Sequence, residues 1–187
     1  MRVIPLLLLL GVALPAAAAD DPWVAEARSV ATAMPPKLLA VLTDAINQGG
    51  PEGAIAVCKD KAPQMAQAAS AQSGWQIRRV SLRNRNPKAV PDEWEKVALA
   101  DFDRRAAAGE NPATLERAEV VPVDGRPTYR YLRALPTQEL CVSCHGAPEK
   151  LSPAVAAKLR ELYPDDRAVG YSPGQIRGAV TLKKALP

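Results

Sequence analysis

At 187 residues the chain has the length of one domain, and its formal net charge of +4 arises from 24 basic residues scattered among 20 acidic ones. No basic stripe interleaves with aromatics, which leaves nucleic-acid binding without support. Three Trp, four Tyr and one Phe are a lean aromatic supply for a core of this size, and a large flat apolar cofactor would help to fill it.

The first residues read as a secretory signal: Met1-Arg2, an apolar run from Val3 to Leu14, then Pro15 and the small residues Ala16 to Ala19 before Asp20. A bilayer span needs about 20 apolar residues, so this run is too short, and Pro15 breaks it. The expectation is a signal over 1–19 removed on export, and one periplasmic domain over 20–187 with no membrane anchor.

Asp21-Pro22 pairs an N-cap with proline at the first helical position and opens a helix from Trp23 to Ala33. Pro35-Pro36 restarts a helix whose Leu38, Leu39, Val41, Leu42 and Ile46 form an inward stripe, and Gly49-Gly50 ends it. Pro51 begins a third, through Ala54, Ile55, Val57 and Cys58, which Pro63 bends or breaks before Met65 to Ala71. After Gly74, Trp75 to Leu82 is strand-like and Arg83 to Pro91 is a loop. Asp92-Glu93 places acids in the first turn of a helix with Trp94, Val97, Ala98 and Phe102 on one face. Asp124-Gly125 is a hairpin turn between strands at Glu119 to Val123 and Thr128 to Leu135. Ser152-Pro153 caps a helix to Tyr163, and turns from Asp165 to Gly174 lead to a last strand, Gln175 to Leu186. Helices and antiparallel strands are segregated, so the fold class is α+β rather than a parallel α/β sheet.

Between the hairpin and the last helix stands Cys141-Val142-Ser143-Cys144-His145. C-x-x-C-H is the attachment signature of c-type haem: the two thiols form thioethers with the porphyrin vinyl groups, and the imidazole becomes the proximal iron ligand. A disulfide would suit an oxidising compartment, and three cysteines with one histidine make up a Cys3His zinc set. Adjacent Cys144 and His145 suit one small tetrahedral ion poorly, whereas haem uses all three fixed residues and fits export. His145 is the only histidine in the chain, so no Ser/His/Asp set exists, and no Gly-rich phosphate loop is present. The chain reads as a non-enzyme.

The iron's other face must carry a different side chain or none. Cys58 is the odd thiol, either a small buried apolar residue or a ligand; Lys59 and Lys61 beside it either help to lower its pKa or are simply solvated. Met65 and Met34 offer His/Met ligation, lysine and tyrosine are further choices, and an open site would admit a diatomic gas. The residues alone leave these open.

Four blocks in fixed order resemble a family of PAS-like monohaem c-type domains. They are Ala54 to Cys58, Ser81 to Pro87 with Pro91 to Glu95 after it, Cys141 to Gly146, and Gly170 to Ala179. That family includes a cyanobacterial haem protein linked to photosystem II preparations and sensor regions of bacterial signalling proteins. The resemblance implies an antiparallel sheet flanked by helices, one covalent haem c, and His145 and Cys58 as axial ligands. Arg83, Arg85 and Arg177 become candidate propionate contacts, since guanidinium suits carboxylates; the alternative for each is loop or surface structure. The expected function is that of a periplasmic monohaem cytochrome, transferring electrons or responding to redox state with an unidentified partner protein. The alternative is a haem-based sensor of redox state, nitric oxide or carbon monoxide, acting through a partner because no output region is expected in this chain. A haem peroxidase ranks third, because the resemblance fills the site that peroxide would use.

Overall fold

Residues 21–186 are described in the structure, a computed structural model; the expected signal at 1–19 lies outside the described residues. Four strands, β1 (Gln76–Val80), β2 (Glu116–Val123), β3 (Arg126–Pro136) and β4 (Ile176–Ala185), form one antiparallel sheet in the order β1-β4-β3-β2. The β2–β3 hairpin turns where expected. Asp124 (φ 51°) and Gly125 (φ 75°) both occupy the left-handed region, which matches the twist of the flanking strands.

Period two sorts the strand residues between two helical layers. On one face α1 (Pro22–Ser73) buries Ala27 and Ala31 against Trp75, Ile77, Tyr129, Tyr131, Val180 and Leu182. On the other, α2 (Glu93–Ala107) buries Ala98, Leu99 and Phe102 against Val80, Leu115, Leu132, Ala134 and Ala179. The class is therefore α+β, an antiparallel sheet flanked by helices. Among the described residues no helix is long and apolar enough to cross a membrane.

Two expectations give way. Pro35, Pro36 and Pro63 do not break the first helices: within α1 only Gly49 (φ −137°, ψ 18°) and Gly50 (φ 69°, ψ 175°) leave helical geometry. A proline's φ is already helical, and what it forfeits is one hydrogen bond and room at the preceding turn; packing of Met34 and Ala69 on the same sheet cluster offsets that loss. Because both of those residues reach one cluster, the arms 22–48 and 51–73 run back along each other as an αα-hairpin. Val97 was expected to face inward and is 59 % exposed. Glu95 is the cause. It is fully buried on the sheet, where Arg78, Arg130 and the Thr181 hydroxyl satisfy it, and it rolls α2 so that Val97 turns outward.

Two short helices, α3 (Val142–His145) and α4 (Pro153–Leu162), follow the sheet's third strand. Ser152 caps α4 by accepting from the Val155 amide. Val155, Leu159 and Tyr163 bury Ile55 of α1 between them, and this third cluster holds the second arm of α1 beside α3.

Candidate functional site

The C-x-x-C-H segment forms a single helical turn that stops at Gly146. The Gly146 amide donates to the Val142 carbonyl at 2.9 Å, and a Cβ on Gly146 would lie 2.5 Å from that oxygen. Only glycine closes the turn this tightly. The turn is then tied to the loop before β4, with Gly170 N donating to Gly146 O at 2.7 Å and Tyr171 N to His145 O at 2.9 Å. Arg85 reinforces the join from below: its Nη2 donates to Cys144 O at 2.6 Å and its Nε to Asp166 Oδ2 at 2.9 Å, both side chains being almost fully buried. Asp166 Oδ1 in turn accepts from Ala168 N at 2.8 Å.

The Ala168 carbonyl is the end of that chain and lies 2.6 Å from His145 Nδ1. A carbonyl only accepts, so Nδ1 carries the ring proton and Nε2 keeps its lone pair. This is the arrangement by which a ligating imidazole is oriented. Arg177 Nε, 3.2 Å from the same Nδ1, is then packed against the ring nitrogen rather than bonded to it. The Tyr171 ring meets the imidazole edge-on, with centroids 6.5 Å apart. Burial, then Arg177 and Arg85, push the His145 pKa down to about 2 against the opposing Ala168 hydrogen bond. The imidazole is neutral at any physiological pH.

Cys58 lies one turn after Ile55 on α1 and so shares its α4-facing side. Burial raises its pKa, opposed by Arg79, Arg85 and Arg177, and Cys141 pushes it up further. The Cys144 thiol is also raised by burial and feels both Cys58 and Cys141. The fold therefore gathers all three thiols and the histidine around one place. Lys59 and Lys61, either helpers of a low Cys58 pKa or solvated surface, are exposed, and the leading charges that oppose burial at Cys58 are Arg79, Arg85 and Arg177. Met34 is committed to the sheet cluster. Met65 is half-buried two turns after Cys58 and belongs to none of the apolar clusters. Among the described residues no three His, Cys, Asp or Glu side chains converge closely enough for one metal ion, which is not the geometry a Cys3His zinc site requires.

The three arginines separate. Arg85 holds the loop, as described. Arg83 stacks 3.7 Å over the Tyr171 ring and donates to Val169 O at 3.1 Å. Arg177 alone touches His145, with its Nη1 on the Ser81 hydroxyl at 3.1 Å. Sequence reasoning missed Arg79, Asp166 and Tyr171. Arg79 was visible in principle, since it shares the face of Ile77 along β1; the other two sit in a turn-rich stretch with no periodicity to read.

A family model of Tll0287-like proteins matches residues 17–184. Among solved structures the chain is similar to the crystal structure of the cyanobacterial heme-protein Tll0287, at 28 % identity and a TM-score of 0.53, over 68 % of this chain and 70 % of that one. No curated protein sequence matches it significantly. The family match takes in Cys58, the C-x-x-C-H turn and all of the sheet but its last residue, Ala185, and the chain belongs to the Tll0287-like family.

Proposed function

We propose that this chain is an exported monohaem c-type protein that passes electrons to and from a partner protein. Cys141 and Cys144 would hold haem c through thioethers, and His145 and Cys58 would ligate its iron. The observation that carries the reading is the His145 ring: Nδ1–H is committed to Ala168 O and Nε2 is left to ligate, with the Cys58 thiol in the field of the same arginines. The donor set also fits, one neutral imidazole and three sulfurs gathered but not converging on a point. The solved relative is itself named a heme-protein.

Bound haem supplies an iron that stores and releases one electron. The chain's residues do the rest. Arg85 and Asp166 fix the loop, Ala168 orients the imidazole, and Ile55 with α4 holds the Cys58 arm in place. Arg79, Arg85 and Arg177 favour the thiolate form of Cys58 against burial, and an anionic sulfur ligand stabilises ferric over ferrous iron. Six-coordinate ligation needs no substrate site, which is why electron transfer ranks above catalysis.

The test compares ferric, ferrous and gas-treated spectra of the haem-loaded protein with those of Cys58→Ala. Loss of the thiolate-ligated ferric spectrum is expected in the variant, and an unchanged spectrum would remove Cys58 from the iron. Rapid stoichiometric binding of carbon monoxide or nitric oxide by the wild-type ferrous protein would turn the reading to a gas sensor. A pyridine haemochrome of unattached haem b would sink the thioether assignment.

A further inference from the structure

β1 carries one arginine whose only role so far is the charge it presents to Cys58. Arg78 and Arg79 are neighbours, so the pleat sends their side chains to opposite faces. Arg78 meets Glu95 on the α2 face. Arg79 therefore lies on the α1 face, and the register agrees: its partner is Val180, which packs in the α1-side cluster with Ile77, and directly paired residues share a face. The strand ends at Val80, and the next residue, Ser81, accepts from Arg177, the side chain that touches His145. Arg79 is thus delivered to the haem-ligand end of the sheet beside Arg177. Its charge is felt at Cys58, His145 and Arg177.

The charges near the ligands do not balance. Arg85 has Asp166. Among the described residues, Arg177 bonds only to the Ser81 hydroxyl and the Arg83 carbonyl, and Arg79 is exposed with neither an ion pair nor a hydrogen bond. Two guanidiniums side by side repel one another unless anions join them, and a haem carries two carboxylates. Guanidinium is the side chain best shaped to receive a carboxylate.

We infer that Arg79 and Arg177 form a paired clamp for the two haem propionates, Arg177 from within the site and Arg79 from its solvent rim; this rests on the haem reading above. Arg79 is a binding residue on this account, and its exposure makes it replaceable without disturbing the core.

The experiment uses haem-loaded wild type, Arg79→Gln and Arg79→Lys. Haem content and linkage are read by pyridine haemochrome, propionate hydrogen bonding by the propionate bending band in resonance Raman, and iron electronics by the midpoint potential. Arg79→Gln is expected to keep the thioether-type haemochrome, shift the bending band and lower the potential, because an uncompensated carboxylate stabilises ferric iron. Arg79→Lys should recover part of the potential. A glutamine variant with wild-type band and potential would overturn the clamp while leaving the haem reading intact; wild type without thioether-linked haem would take down both. Should the glutamine variant load no haem, haem-free wild type is titrated with haem and with its dimethyl ester. Binding of the ester at least about tenfold weaker supports the clamp, a difference of about 1.4 kcal/mol, and equal binding overturns it.

Discussion

His145 ties the site to the stability of the whole chain because it is the only histidine. Its pKa is about 2 in the fold, driven down first by burial and then by Arg177, against about 6.5 in an unfolded chain. The native state therefore binds fewer protons than the unfolded state between those values. Stability from this group is complete above about pH 6.5 and drains away as pH falls toward the folded value. Asp92 adds a loss at lower pH: burial would raise it, but Lys183, the Glu95 amide and Arg130 outweigh that and hold it at about 2, so its contribution fades only below 3.8. Melting temperatures of haem-free protein should thus already decline between pH 6.5 and 5, and His145→Gln should flatten that interval; an equal slope in the variant would disprove the linkage. Arg85→Ala is a second test at this scale. It leaves Asp166 buried without its counter-charge and should cost roughly 3–5 kcal/mol in denaturant unfolding, with the Cys144 carbonyl losing a donor as well.

The elements show how far the chain could be read before folding. Asp21, Asp92 and Ser152 cap where local chemistry says they should, and the Asp124-Gly125 turn was legible because positive φ at both positions is a local demand. The C-x-x-C-H motif is likewise a local pattern, whereas its closure against Gly146 and the Ala168 carbonyl is not. What stayed hidden depends on contacts across long separations. Glu95 rolls α2 by meeting Arg130 and Thr181, and α1 runs through its prolines because both arms rest on one sheet. Glycine separates local from distant demands in a measurable way. Gly50 has φ 69°, but the nearest atoms to an added Cβ belong to the flexible Glu52 side chain. Gly178 has φ 155°, and its Cβ would lie 2.3 Å from the Val80 carbonyl oxygen, in the backbone that joins β1 to β4. Gly50→Ala should therefore cost about 1–2 kcal/mol, from its backbone angles alone. Gly178→Ala should cost more, about 2–3 kcal/mol, and should lower haem incorporation by displacing Arg177. Chemical denaturation with parallel haem quantitation checks both, and equal costs would show that the backbone contact is relieved elsewhere.

At the scale of the molecule, two large apolar clusters fill the faces of the sheet, and a third and smaller one, Ile55 with Val155, Leu159 and Tyr163, joins the Cys58 arm to α3 and α4. The proposed ligands adjoin that third cluster, Cys58 one turn after Ile55 and His145 next to Cys144, which packs against it. In the haem-free protein that small cluster and the Cys144 thiol on the Pro51 carbonyl, at 3.9 Å, tie the two ligand segments together, so this corner should open at a lower free energy than the sheet. Iron bonded to both Cys58 and His145, with thioethers at Cys141 and Cys144, would link residues 51–62 to residues 139–171 directly, and a ligand that binds only the closed form protects what it closes. Hydrogen exchange on haem-loaded and haem-free protein should therefore show slowed exchange in those two stretches, and little change in α2 and in the β2–β3 hairpin, which lie across the sheet from the site. Slowing spread evenly over the sheet would mean that haem stabilises the fold globally rather than at this corner. Slowing at 139–171 without 51–62 would mean that the Cys58 arm is not held by the iron.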